Sequence, residues 1–94
     1  MIEIKQIDEG TKGYFVASDD GKEAGRMSYT FAGNSKMIID HTEVNDSYRG
    51  QSIGKKLLME LVEFARQNNV KIIPLCPFAK SVFDKTELIR DVLA

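Results

Sequence analysis

The residues best suited to chemistry lie in one stretch of the chain. The run Arg49-Gly50-Gln51-Ser52-Ile53-Gly54-Lys55-Lys56 combines two glycines with three cations. Glycines let a backbone approach a ligand closely, and the first-turn amides of a following helix point outward with the positive end of its dipole behind them. Such a segment suits an anion, and Arg49, Lys55 and Lys56 suit a phosphorylated one. Upstream, His41 and Glu43 stand two residues apart, so that one can orient the other as a general base toward an amine. Downstream, Cys76 precedes an expected helix N-terminus, where amide dipoles stabilise a thiolate that can act as a nucleophile or return a proton to a leaving group. Each also has an ordinary role: a free cysteine often only packs, and a strand-end carboxylate is commonplace.

These residues need elements to position them. From Met1 to Val44 short runs rich in Ile, Val, Tyr, Phe and Thr alternate with small turn residues, which predicts four strands at Ile2 to Ile7, Lys12 to Ser18, Lys22 to Phe31 and Lys36 to Val44. The breaks are Asp8-Glu9-Gly10, Asp19-Asp20-Gly21 and Gly33-Asn34-Ser35, so the strands form an antiparallel meander. In the fourth run a side-chain period of two puts Met37, Ile39, His41 and Glu43 on one face and Ile38, Asp40, Thr42 and Val44 on the other. From Ile53 the apolar spacing changes to three and four, predicting an amphipathic helix of about four turns that ends at Asn68-Asn69. Val70 to Leu75 reads as a strand with Pro74 at its end or outer edge. Pro77 opens a second helix to about Lys85. Thr86 to Ala94 reads as a third short helix, capped by Thr86, with Leu88, Ile89, Val92 and Leu93 as its apolar face. The order makes one α+β domain spanning residues 1–94.

Composition narrows the function classes. In 94 residues, 13 Lys and Arg oppose 14 Asp and Glu, which argues against affinity built on neutralising nucleic-acid phosphates. The longest apolar stretch, Ile72 to Ala79, is broken by two prolines and is too short for a membrane span. A single cysteine forms no internal disulfide and nothing at Met1 resembles a secretory leader, so a cytoplasmic location is expected. One His, one Cys and scattered carboxylates do not make a metal site. The phosphate-binding candidates thin out as well. Three residues separate Gly50 from Gly54, where a mononucleotide loop needs four, Lys56 takes the place of the Ser or Thr that would hold magnesium, and the dinucleotide glycine pattern is absent.

What does match is the Q/R-x-x-G-x-G/A signature of the GNAT superfamily of N-acetyltransferases, aligned as Arg49-Gly50-Gln51-Ser52-Ile53-Gly54 and followed, as there, by a Leu-rich helix. His41-Thr42-Glu43-Val44 and Ile73-Pro74-Leu75-Cys76-Pro77-Phe78 resemble a subgroup of very short acetyltransferase-like proteins with a cysteine at this point, so the resemblance covers roughly Asp40 to Phe83. It implies a minimal GNAT-like fold and acetyl-CoA as cofactor. The backbone amides from Arg49 to Lys55, through Gly50, Gln51, Ser52, Ile53 and Gly54, would hold the pyrophosphate. Glu43 and Val44 would pair with the pantetheine arm, and Cys76 would lie across the splayed sheet near the thioester. Ser52 replaces the signature's first glycine and is expected to cap the helix. Members of usual length build an acceptor wall from helices between their first two strands, where this chain has only Asp8 to Thr11.

Two functions from different classes follow. In the first, acetyl-CoA donates an acetyl group to an amine acceptor, a small molecule or a protein, directly or through Cys76, with His41 as candidate base. In the second, the domain binds CoA or acyl-CoA without catalysis, as a sensor or interaction module. The Asp8 to Thr11 connection separates them: it requires an open site for a macromolecular acceptor, or another subunit to complete it.

Overall fold

A computed structural model describes all residues from Met1 to Ala94. Strands β1 (Ile2–Asp8), β2 (Lys12–Asp19), β3 (Lys22–Ala32) and β4 (Lys36–Val44) are followed by a 3₁₀ turn at Asp46–Tyr48 and helix α1 (Ile53–Gln67). Strand β5 (Lys71–Pro74), helix α2 (Pro77–Lys85) and a 3₁₀ segment at Glu87–Val92 complete the chain. The five strands form one sheet in the order β1-β2-β3-β4-β5, antiparallel except for the parallel β4–β5 pair. The α+β meander expected from the sequence is therefore present, with Pro74 at the end of β5 and Pro77 at the first turn of α2.

One face of the sheet carries Phe15, Ala17, Met27, Tyr29, Met37, Ile39 and Ile72, all buried. The three-and-four spacing of α1 brings Ile53, Leu57, Leu58, Leu61, Val62 and Ala65 into that same core. Removing this apolar surface from water is the main favourable term in the fold. The opposite face, which includes Lys5, Tyr14, Arg26, Ser28, Ile38, His41 and Glu43, has no buried residue.

Two points depart from the sequence reading. The first is in β4. Tyr29 pairs with Ile39 and Ser28 with His41, so Asp40 is an extra, unpaired residue, a β-bulge. The Thr30 hydroxyl donates to the Asp40 carboxylate at 2.6 Å. An extra residue reverses the alternation beyond it: Thr42, opposite Met27, joins the helix-covered face, and His41 and Glu43, opposite Ser28 and Arg26, go to the open one. His41 and Glu43 therefore do not share a face with Met37 and Ile39, as an uninterrupted period of two predicts.

The second departure is at the C-terminal end, which is 3₁₀ rather than α-helical. Thr86 makes no side-chain cap, and Leu88 is 86% exposed rather than part of an apolar face. The cause lies in what holds this segment. The Arg66 guanidinium donates to both Asp91 carboxylate oxygens and to the Leu88 carbonyl, while Leu93 bridges to Ile72 and the Ala94 amide donates to the Ile72 carbonyl. These bonds draw the chain back onto the edge of β5 before an α-helical turn can propagate.

Candidate functional site

The site is built where β4 leaves the core and the chain turns into α1. Asn45 starts the turn: its amide donates to the Ala24 carbonyl, and its side chain accepts from the Ser47 amide at 3.0 Å. Tyr48 is buried beneath the loop, and its hydroxyl donates to the Asp19 carboxylate at 3.1 Å, tying the loop to the end of β2. Burial and the adjacent Asp19 carboxylate raise the Tyr48 pKa, so the phenol keeps the proton it donates. Asp19 is lowered by the N-terminal ammonium of Met1, 3.0 Å away, and by Tyr48.

The backbone beyond Tyr48 is unusual in what it leaves free. The amides of Arg49 and Gln51 turn back to the carbonyls of Asp46 and Tyr48, and that of Lys56 donates to the Ser52 carbonyl. Those of Gly50, Ser52, Ile53, Gly54 and Lys55 donate to no backbone carbonyl. Unpaired donors clustered at a helix N-terminus make a concave, electropositive lining for an anion. Positive φ at Gly50 (87°) and Ser52 (59°) produces this lining. Ser52 occupies the position before α1 but makes no side-chain cap, contrary to the expected role. Its left-handed backbone explains why a glycine suits this place in the signature. Gly54 serves a different need, because a β-carbon there would lie 2.8 Å from the Phe78 ring.

The cations divide into two kinds. Arg49 is exposed and already paired with Asp46 at 2.8 Å. Lys55 and Lys56 are exposed and make no salt bridge. They flank a groove of about 600 Å³ between β1 and α1, floored by Ile2, Ile4 and Met59 and bordered by Ser52 and Glu60. On the other side of the loop, Glu43 and Val44 line a smaller hollow of about 270 Å³ with Gly25 and Asn45.

Cys76 marks the fork in the sheet. Parallel pairing of β4 with β5 ends at Ile39 and Pro74, and the Cys76 amide then donates to the Ile39 carbonyl at 3.1 Å. Beyond this point β4 continues to Val44 with no partner from β5. The Cys76 side chain is 5% exposed, and its Sγ lies 3.2 Å from Thr42 Oγ1. His41 Nε2 meets Glu43 Oε1 at 3.1 Å, both side chains being about two-thirds exposed on the open face. The fold thus joins Cys76 to Thr42 and separates it from His41. Sequence reasoning gave Thr42 no role, since only the bulge turns it inward. It likewise gave Tyr48 no place beyond packing, since its partner Asp19 lies in a distant turn.

Comparison with known proteins fixes the family. The GCN5-related N-acetyl-transferase family model matches residues 13–92, and the chain belongs to that family. The solution structure of a GCN5-like candidate N-acetyltransferase from Staphylococcus aureus is 41% identical over 98% of this chain and 87% of that one, with a TM-score of 0.73. Two more distant structures share the fold. The ribosomal-protein-alanine N-acetyltransferase of Brucella melitensis biovar Abortus is 20% identical (TM-score 0.70; 83% of this chain, 62% of that one). A candidate acetyltransferase of Clostridium acetobutylicum, solved with acetyl-CoA, is 19% identical (TM-score 0.64; 80% of this chain, 56% of that one). The chain thus spans less than two thirds of the length of either. No curated protein matches, and no helix is long and apolar enough to cross a membrane.

Two predictions follow from the loop. Ser52→Gly removes a left-handed serine and loses no cap, so stability should rise by about 0.5–1 kcal/mol after the entropy of glycine is subtracted; urea unfolding measures it. Asp19 titrates below its ordinary value of 3.8 in the fold, so its contribution is present above that pH and disappears as pH falls through the folded value. Urea midpoints of the wild type should therefore exceed those of Asp19→Asn at neutral pH, and the gap should close below pH 3.8.

Proposed function

We propose that this protein is an acetyl-CoA-dependent N-acetyltransferase that passes the acetyl group to an amine through Cys76. The observation that carries the reading is the set of unpaired amides at Gly50, Ser52, Ile53, Gly54 and Lys55, which offer N–H donors to the oxygens of a pyrophosphate. Family membership and a relative solved with acetyl-CoA support the same ligand. Lys55 and Lys56 add long-range attraction. The free edge of β4 from His41 to Val44 offers backbone partners to the pantetheine amides, with Glu43 and Val44 at its end.

Acetyl-CoA supplies the activated acetyl thioester. Cys76 Sγ gives up its proton and forms a bond to the acetyl carbonyl carbon as the bond from that carbon to the CoA sulfur breaks, and CoA leaves as the thiol. The amine nitrogen then takes the acetyl group from Sγ, the nitrogen–carbon bond forms, the sulfur–carbon bond breaks, and the amine proton returns to Cys76. Cys76 stands at the N-cap of α2, and its side chain bonds none of the helix amides. His41 serves no part of this relay, because it lies on the other face of the sheet from Cys76. The short turn from Asp8 to Lys12 leaves the acceptor side open, which favours an acceptor carried on a large molecule over one that must be enclosed.

Intact-mass analysis after incubation with acetyl-CoA, without acceptor, is expected to find one added acetyl group on the wild type and none on Cys76→Ala. With an amine acceptor, Cys76→Ala should lose at least about 100-fold in kcat/KM, the low end of what removing a group that handles the reacting proton costs. Full turnover by Cys76→Ala would mean direct transfer. Tight acetyl-CoA binding with no turnover by either protein would mean a non-catalytic CoA-binding module.

A further inference from the structure

The Cys76 sulfur has one side-chain hydrogen-bond partner. Thr42 Oγ1, at 3.2 Å from Sγ, makes the side-chain hydrogen bond to this sulfur, and the threonine hydroxyl makes no other. The remaining groups are turned elsewhere. The Cys76 amide donates to the Ile39 carbonyl, and the Cys76 carbonyl accepts from the Lys80 amide. Of the charged groups on neighbouring elements, His41 and Glu43 of β4 project from the opposite face, and Lys80 and Asp84 of α2 pair with each other in solvent at 3.3 Å. From α1, the residues facing the core are Ile53, Gly54, Leu57, Leu58, Leu61, Val62 and Ala65, none of them titratable. In β5, Ile73 and Pro74 are apolar.

A thiol is a weak hydrogen-bond donor, whereas a thiolate is an acceptor carrying a full charge. Either atom of this pair can be the donor, and the bond is strongest when the hydroxyl donates to ionised sulfur. Threonine is also stiff about its first side-chain torsion, so the hydroxyl is held in place rather than recruited. We propose that Thr42 is a positioning residue for acetyl transfer: its hydroxyl stabilises the Cys76 thiolate and fixes the direction of Sγ, and it reaches the sulfur only because the extra residue at Asp40 rephases β4. The role rests on the Cys76 relay set out above, but the thiol can be measured without it.

The chain has a single cysteine, so alkylation by iodoacetamide followed by intact mass reports on Cys76 alone. The pH profile of the alkylation rate gives the thiol midpoint in the absence of any acetyl donor. Thr42→Val, which keeps the shape and removes the hydroxyl, should move the midpoint up by about one unit, so that the rate at neutral pH falls about tenfold while the plateau at high pH is unchanged. Thr42→Ser should restore the wild-type midpoint, and Thr42→Ala provides a second deletion if the valine variant fails to fold by circular dichroism. Equal midpoints for wild type, valine and alanine variants would overturn the proposal and leave Thr42 as packing. A raised midpoint together with no acetyl group on wild-type Cys76 would instead refute the relay, while leaving Thr42 as the group that sets thiol ionisation.

Discussion

The register fault in β4 is the constraint on which the arrangement of the site depends. A regular strand would present His41 to the core and Thr42 to the open face. One unpaired residue, Asp40, held by the Thr30 hydroxyl, reverses that assignment. Thr42 then meets Cys76 where β4 and β5 part, and an imidazole with an attached carboxylate is kept out of the interior, where its charge would be costly. The bulge thus sets both the hydrophobic face and the chemistry. Bulges near functional sites commonly re-aim side chains in this way.

The second half of the site follows from backbone geometry rather than side-chain charge. A chain with a net charge of −1 has no general attraction for anions. In the proposed function it gains a local one from five loop and first-turn amides without partners and from Lys55 and Lys56, which make no salt bridge. The loop that carries these amides is tied down at its base. Tyr48 is buried under it, and Asp19 receives the phenol from one side and the N-terminal ammonium from the other. Preorganised donors of this kind need no rearrangement when an anion arrives.

Most of this architecture was legible in the residues. The three turns of the meander, the change of period at Ile53 and the placement of Pro74 and Pro77 rest on local rules, and the structure agrees with them. The failures in β4 and at the C-terminal end have a common origin in long-range contacts. Nothing in Lys36 to Val44 announces that Asp40 will be skipped, because a bulge is a property of the pair of strands and not of one. Likewise, the apolar spacing of Leu88, Ile89, Val92 and Leu93 is helical, but Arg66 and Ile72, far away in sequence, decide the outcome. The glycine at Gly54 looked like a ligand-facing residue, and in the fold a β-carbon there would also meet the tip of the Phe78 ring at 2.8 Å.

The central claim is that the free amides of the loop bind the pyrophosphate of CoA. The direct measurement is an amide-resolved NMR titration of the isotopically labelled protein with CoA, using the dephosphorylated pantetheine fragment as a control. The account predicts that the amides of Gly50, Ser52, Ile53, Gly54 and Lys55 shift with CoA and stay in place with the fragment. Those of Arg49 and Gln51, already engaged within the loop, should move less. Shifts confined to other parts of the sheet, or equal shifts with the fragment, would contradict it.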